Sequence, residues 1–255
     1  MKQEKRERHA NILTALSSAS SVRVAELARQ LGVSTETIRR DFDELTRTGQ
    51  LSRTYGGAVR AMGVEPHIAA GDQKALLLAE RRRIAEATVE QVADARILII
   101  GCGGAAVPIA QQIAARLSGI TVITHSFGVA AALGVNTAIE VMMIPGLYHA
   151  AQASTTGGHA IVFLQSLYAD YVILGASGVT EDGPSDAVPE IAAVHGAMLG
   201  RAATCIITAE RGAFNLPFST RYADWPQVSM LITDAPPPAG LRKTLESSRV
   251  KLLVA

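Results

Sequence analysis

Within the seven residues Ser34-Thr35-Glu36-Thr37-Ile38-Arg39-Arg40 the chain gathers three hydroxyls, a carboxylate and two guanidinium groups. These are groups that hold phosphates and read base edges. An arginine fork bonds guanine bidentately or clamps a phosphate, and Ser or Thr contacts a phosphate or a thymine methyl. The sequence does not divide the two arginine roles between Arg39 and Arg40. The elements that must position them are legible. Ile38, Phe42 and Leu45 recur at i, i+4 and i+7, which predicts a helix with an apolar back. Ser34 stands where it can cap that helix, with Glu36 in its positive first turn. Val24 to Ala28 begins a shorter helix that Gly32 ends, and Gly32-Val33-Ser34 makes the tight turn between them. A short helix, a turn and a second helix with a polar front are the grammar of a helix-turn-helix, whose second helix enters the major groove. Ile12, Leu13 and Leu16 mark the inner face of a preceding helix. Gly49 closes the second helix, and Leu51 to Gly57 suggests a two-stranded wing turned at Gly56-Gly57. Arg53 would then reach the DNA backbone or minor groove, with Tyr55 beside it.

Any one of these signals is common, since most helix pairs touch no DNA and paired arginines usually face solvent. Their combination within residues 22–60 is what points to double-stranded DNA as a partner. Charge agrees. Residues 1–60 carry 11 Lys and Arg against 7 Asp and Glu, while the whole chain is only +1. A basic head on a mildly acidic body fits one nucleic-acid face, not general polyanion binding. A head of +4 is modest for one copy, so two heads on paired half-sites, in a homo-oligomer, are expected.

The rest of the 255 residues, 48% hydrophobic and 18% charged, suits a well-buried α/β core. A linker is expected at 61–73, where Gly, Pro and small residues lack any period, and a second domain at 74–255. A long helix over Ala75–Val92 should turn Leu77, Ile84, Ala85 and Val92 inward and Glu80 to Arg83 outward. Short apolar or β-branched runs then predict strands at Arg96–Ile100, Thr121–Thr124, Glu140–Ile144, Tyr171–Leu174, Thr204–Thr208, Val228–Thr233 and Val250–Val254. Helices near Ala106–Leu117, Phe127–Leu133, Ala160–Tyr168, Ile191–Leu199 and Gly240–Glu246 fall between them. The fold class is therefore α/β: an N-terminal winged helix-turn-helix and a C-terminal, largely parallel-sheet α/β domain whose ligand crevice lies at the strand C-terminal ends. Glycine-rich or hydroxyl-bearing loops fall at three of those ends: Gly101-Cys102-Gly103-Gly104, Thr124-His125-Ser126 and Gly175-Ala176-Ser177-Gly178. Each is what a tight βα turn needs, and together they make an anion-binding pocket. No uninterrupted apolar run reaches the ~18 residues of a membrane span, and the charged N-terminus lacks an export signal, so a cytoplasmic location is expected. Cys102 and Cys205 are expected as buried free thiols. No Cys/His spacing suggests a zinc site, and neither metal nor cofactor is expected.

The head resembles the N-terminal domain of the DeoR family of bacterial transcription regulators. The family's hallmark, LGVS-x-x-TIRRD followed by a wing ending in GGA, stands here as Leu31 to Ser34, Thr37 to Asp41 and Gly56 to Ala58, with Phe42 where leucine is usual. The resemblance continues more weakly into the body: ITHS at Ile123–Ser126 is similar to the family's ITNS, LGASGV at Leu174–Val179 to its FLGASGI, and LITD at Leu231–Asp234 to a late strand. It implies a repressor of a carbohydrate-metabolism operon, whose sugar-phosphate-isomerase-like body is released from DNA by a small effector such as a phosphorylated sugar. The departures fall in the implied pocket. Gly101-Cys102-Gly103-Gly104-Ala105 replaces D-x-G-T-T, His125 replaces an Asn, and the lysine after the next-to-last pocket strand is missing. No Lys occurs between Lys74 and Lys243, so a pocket cation must be Arg201, Arg211, Arg221 or protonated His125. Arginine suits phosphate but not proton transfer, which argues against a catalytic isomerase. Of the acidic groups in the Asp182–Glu190 loop, Asp182 and Asp186 are expected in solvent, and Glu190 has the better claim to the pocket because the family often carries an acid there. Two other readings remain: a body that only oligomerises, and a dinucleotide sensor. Gly101-x-Gly103-x-x-Ala106 satisfies the dinucleotide fingerprint, but no carboxylate lies between Gln111 and Ile139, where the ribose partner belongs.

Overall fold

The structure, a computed structural model, describes residues 2–18, 22–47, 51–54, 57–60 and 71–255. It divides into two units, Met1–Ile68 and Ala69–Ala255.

The first unit runs α1 (Lys2–Ser18), β1 (Val22–Arg23), α2 (Val24–Gln30), α3 (Thr35–Arg47), β2 (Leu51–Thr54) and β3 (Gly57–Arg60). Ile12 and Leu16 of α1, Val24 and Leu27 of α2, and Ile38, Phe42 and Leu45 of α3 form one buried core with Leu51 and Ala58. The wing is larger than a two-stranded hairpin. β3 pairs antiparallel with β2 and, on its other side, with β1, so Val22 and Arg23 supply a third strand. Gly32 adopts φ +64°, and Val33 N–H reaches back to Ala28 O at 3.0 Å, closing α2 in a Schellman-type cap.

Asp41 ties α3 to α1. Its carboxylate, 2% exposed, receives Arg8 Nε at 2.6 Å, Arg8 Nη2 at 3.0 Å and His9 Nε2 at 3.0 Å. Burial alone would raise its pKa, but the hydrogen bonds and charge from Arg8 and His9 outweigh it and hold the group below the usual 3.8. A carboxylate with a depressed folded pKa contributes stability that is present above its unfolded value and lost as pH falls through the folded one. Asp41→Asn is therefore expected to destabilise the first unit by about 2 kcal/mol at neutral pH, with the gap closing below the ordinary carboxylate range. Denaturant titrations of both proteins at the two pH values test this, and a gap that does not change with pH would refute it.

The second unit opens with α4 (Gly71–Gln91), which begins four residues before the expected Ala75 and takes in the end of the expected linker. A seven-stranded sheet follows: β4 (Ile97–Ile100), β5 (Ile120–Thr124), β6 (Ile139–Met143), β9 (Ala169–Gly175), β12 (Ala202–Ala209), β14 (Met230–Thr233) and β15 (Lys251–Val254). All its pairings are parallel, in the order β15-β14-β12-β9-β4-β5-β6. The chain grows outward from β4 through β5 to β6, then returns to β9 on the other side of β4. With crossovers of one hand, that reversal sends the helices to opposite faces. α4, α5 (Ala106–Arg116) and α6 (Phe127–Leu133) cover one face, over Leu98, Ile100, Val122 and Ile173. α7 (Gly158–Leu164), α8 (Pro189–Leu199) and α9 (Ala239–Ser247) cover the other, over Ile99, Ile123, Val172 and Ile207. Burial on both faces explains why these strands read as unbroken apolar runs.

Three excursions leave the C-terminal ends of the strands. After β6 comes the hairpin of β7 (Leu147–His149) and β8 (Ser154–Thr156). After β9 come β10 (Gly178–Thr180) and β11 (Gly183–Asp186), which pair with β13 (Thr220–Arg221) from the segment after β12. Only two to four residues long, these strands gave no alternating pattern and were not foreseen. The described residues include no helix long and apolar enough to cross a membrane.

Candidate functional site

In the first unit, α3 presents the polar front that the sequence suggested. Ser34 Oγ accepts Thr37 N–H at 3.1 Å and lies 2.9 Å from the Thr37 hydroxyl, so Ser34 caps the helix. Thr35, Glu36, Arg39 and Arg40 are exposed, and Ile38 between them is buried. Glu36 pairs with Arg40 at 3.4 Å and Arg39 at 3.9 Å. Exposed pairs of this spacing are worth only about 0.3–0.5 kcal/mol, so both guanidinium groups are free to exchange Glu36 for phosphate or a base. Arg53 lies on β2, opposite Ala58. Its side chain falls outside the described residues, as do Tyr55, Gly49 and Gly56.

In the second unit, β4 and β9 flank the point where strand order reverses, the place where doubly wound sheets bind ligands. The two glycine loops meet there: a Cβ on Gly103 would stand 2.8 Å from the Cα of Gly175. Thr124, at the end of β5, donates to Ile100 O at 2.7 Å, and Ser126 caps α6 through Val129 N–H at 3.4 Å. His125 between them is fully buried. Its Nδ1 faces Thr155 O at 2.9 Å and its Nε2 accepts Cys102 N–H at 3.0 Å. Those contacts fix the Nδ1–H tautomer. Burial pushes the pKa of His125 down to about 4, so at neutral pH it is uncharged and is not the pocket cation considered above.

Two residues complete this centre: His195, for which no role was expected, and Asp186, which was expected in solvent. His195, on α8, is fully buried, with Nε2 at 3.8 Å from Cys102 Sγ. A Cβ at position 101 would lie 2.7 Å from that Nε2, so only glycine there admits His195. Asp186 is also buried, its Oδ2 4.0 Å from His195 Nδ1. Burial raises its pKa to about 6. The Asp182–Glu190 stretch is thus not the solvated loop expected. β11 carries Asp186 inward, while Asp182 and Glu190 stay exposed, and the structure does not bring Glu190 to the cluster. Tyr222 packs its ring on His195 at 5.2 Å and donates to Gly175 O at 2.8 Å. Ser177 is half-buried: its N–H bonds to Ser185 O at 3.0 Å, its side chain bonds Asp186, and the neighbouring Gly178 pairs with Ser185 on β11. The sole sequence signal for His195 was one histidine in an otherwise apolar helix.

Beside this centre the cations are already engaged by carboxylates. Arg211, in the turn after β12, pairs with Glu80 of α4 and lies 3.4 Å from Asp234, with its side chain 51% exposed. Arg81, also on α4, pairs with Glu210 at 2.8 Å, and the Glu210 carboxylate sits over Gly104. Glu80 is therefore buried where the helix pattern put it outward, because Arg211 draws it in, while Leu77 is 36% exposed. Arg201 donates to Gln165 O beside the start of β9, at the N-terminal ends of the strands, and Arg221 to Asp182 O and Asp224. A carboxylate over Gly104 and a Cys102 amide committed to His125 leave the glycine loop ill-suited to a pyrophosphate. A hollow of about 380 Å³ lies between α9 and β15 at the sheet's edge, lined mainly by apolar side chains with Arg242 and Glu246 among them.

Residues 8–62 match the model of the DeoR-like helix-turn-helix domain, and residues 78–235 that of the DeoR C terminal sensor domain. Along its length the chain is similar to several curated regulators. It is 28% identical to the HTH-type transcriptional repressor CsqR of Escherichia coli K12, over 97% of this chain and 94% of that one. It is 28% identical to the putative aga operon transcriptional repressor of Escherichia coli O157:H7, over 97% and 93%. The glycerol-3-phosphate regulon repressor of Escherichia coli K12 matches at 25%, over 96% and 97%.

Proposed function

This chain belongs to the DeoR family, and on that premise we propose that it is an oligomeric repressor of a carbohydrate-metabolism operon. It binds double-stranded operator DNA through α3 and the wing, and it is released by a small anionic effector, a phosphorylated sugar foremost, at the strand ends of the second unit. The observation that carries the DNA reading is the exposed Thr35–Arg40 front on a helix anchored by Ile38, Phe42 and Leu45. Support for an anionic effector comes from Arg211 and Arg81, each held by a carboxylate beside the strand-order switch. A phosphate outcompetes a carboxylate for an arginine fork when it brings more charge and more acceptors. Its arrival would free Glu80 and Glu210. Glu80 and Arg81 lie on α4, the first element of the second unit, so the exchange alters how that helix is held. An effector acts by such a difference between two states. The body is a regulator's and not an enzyme's on this reading, since arginine does not give up a proton at neutral pH.

The test has two stages. Genomic fragments retained by the full chain identify an operator, and thermal-shift measurements then screen phosphorylated sugars, polyols and NAD(H). A phosphorylated sugar is expected to raise the melting temperature and release the operator. Arg211→Ala should abolish both effects, His125→Ala should reduce them, and Glu80→Gln should lower the effector concentration needed several-fold. Failure to retain any specific fragment would sink the DNA reading. Saturable NAD(H) binding with operator release would replace the sugar by a dinucleotide, and a ligand shift that survives Arg211→Ala would remove that residue from the site.

A further inference from the structure

We propose that Cys102, His125 and His195 form a binding site for one thiophilic transition-metal ion of the zinc class, buried at the switch point of the sheet. The three come from the loop after β4, the loop after β5 and the middle of α8. One ligand atom from each lies within 4.8 Å of the others, the only such group among the described residues. Zinc–sulfur and zinc–nitrogen bonds at tetrahedral angles place neighbouring ligand atoms about 3.5 Å apart. Cys102 Sγ and His195 Nε2, at 3.8 Å, are close to that already. The two imidazoles stand edge to face with centroids 5.5 Å apart, so their nitrogens converge without stacking.

The surroundings of the two histidines point the same way. A metal-bound imidazole uses its second nitrogen on a carbonyl or carboxylate, which fixes the tautomer and makes the ligand more basic. His125 has its Nδ1 on Thr155 O at 2.9 Å, leaving Nε2 as the lone-pair atom. His195 has its Nδ1 toward Asp186 Oδ2 at 4.0 Å and its Nε2 toward the thiol. That Nδ1 is buried without a hydrogen-bond partner. An orphaned polar atom in so dry a place is costly, and drawing His195 onto a metal would change the distance to Asp186 that leaves it orphaned. Cys102 loses its thiol proton to solvent on binding and supplies the thiolate. Metal binding breaks the hydrogen bond from Cys102 N–H to His125 Nε2, and that amide then donates to a water on the ion's fourth coordination position. One thiolate and two neutral imidazoles suit zinc, cobalt(II) or copper(I), and not magnesium or calcium, which want oxygen. The site is separate from the arginines that hold the anionic effector, which lie on α4 and after β12, and shares only His125 with the effector's test.

Cobalt(II) titration of the reduced, tag-free full chain is the test, followed by displacement with zinc and metal analysis after dialysis. One cobalt per chain is expected, with tetrahedral d–d bands and a thiolate-to-cobalt charge-transfer band. Cys102→Ser should remove the charge-transfer band, and Cys205→Ser should keep it. His195→Gln should abolish stoichiometric uptake. Asp186→Asn should weaken it about 10–100-fold, the usual effect of losing an outer partner. Far-UV circular dichroism confirms that each variant is folded. Should Cys102→Ser not fold, His195→Gln and Asp186→Asn carry the same decision. No stoichiometric uptake by the native chain would overturn the proposal, as would uptake unchanged in the folded Cys102 and His195 variants.

Discussion

Phe42→Ala is expected to unfold the first unit and leave the second intact. Phe42 is fully buried, and among the described residues the core around it holds ten buried residues drawn from three helices and two strands. Truncating a buried phenylalanine costs about 3–5 kcal/mol through lost transfer energy and the cavity left behind. A domain of this size has little more than that to lose, because so much of its surface stays wet. The same change in the second unit would be absorbed by two large cores on either side of a seven-stranded sheet. Denaturant unfolding followed by circular dichroism should show the variant losing an early transition while the late one is kept. Operator binding should vanish, and cobalt uptake and effector-induced melting shifts should persist. Phe42→Leu restores most of the volume and should restore binding. If Phe42→Ala keeps full operator affinity, the assignment of α3 as a helix anchored by that residue is wrong.

The head was legible because its signals are local. A cap at Ser34, a glycine of positive φ at Gly32 and an apolar period through Ile38, Phe42 and Leu45 each act within one or two turns of helix. Strand-helix alternation was legible for a similar reason, since strands buried on both faces must be apolar throughout. The centre of the second unit was only half visible. Cys102 and His125 could be placed, as they sit in loops directly after strands. Their partner His195 is 93 residues from Cys102 and reaches it only because the sheet doubles back to set β9 beside β4. Asp186 and Glu80 were misplaced because short-range pattern treats an acid as solvent-seeking. Glu80 is drawn inward by Arg211, 131 residues along the chain, and Asp186 is carried inward by β11, where it accepts the Val188 N–H at 2.9 Å. Charge pairing across that separation has no periodicity to read.

The same local legibility makes the operator contacts the sharpest test of function. Arg39→Ala and Arg40→Ala should each weaken specific binding by about 1–3 kcal/mol if the arginine reads a base, and the double variant by roughly their sum, on the order of thirtyfold to twenty-thousandfold. The two possible roles separate in their salt dependence. A lost phosphate contact lowers affinity for all sequences alike and reduces the slope of log affinity against log salt by about 1. A lost base contact leaves the slope nearly unchanged and relaxes preference at one position of each half-site. Glu36 should modulate both. It holds the two guanidinium groups at 3.4 and 3.9 Å in the free protein, and its charge faces the approaching phosphates. Glu36→Gln is therefore expected to tighten nonspecific binding, by a few-fold at low salt and not at high salt where such charges are screened. It should lower the ratio of specific to nonspecific affinity if Glu36 also accepts from a cytosine amino group. Fluorescence anisotropy with an operator duplex and a scrambled duplex, across a salt series, measures all of these together. Full operator affinity in the double variant would show that α3 does not read the DNA.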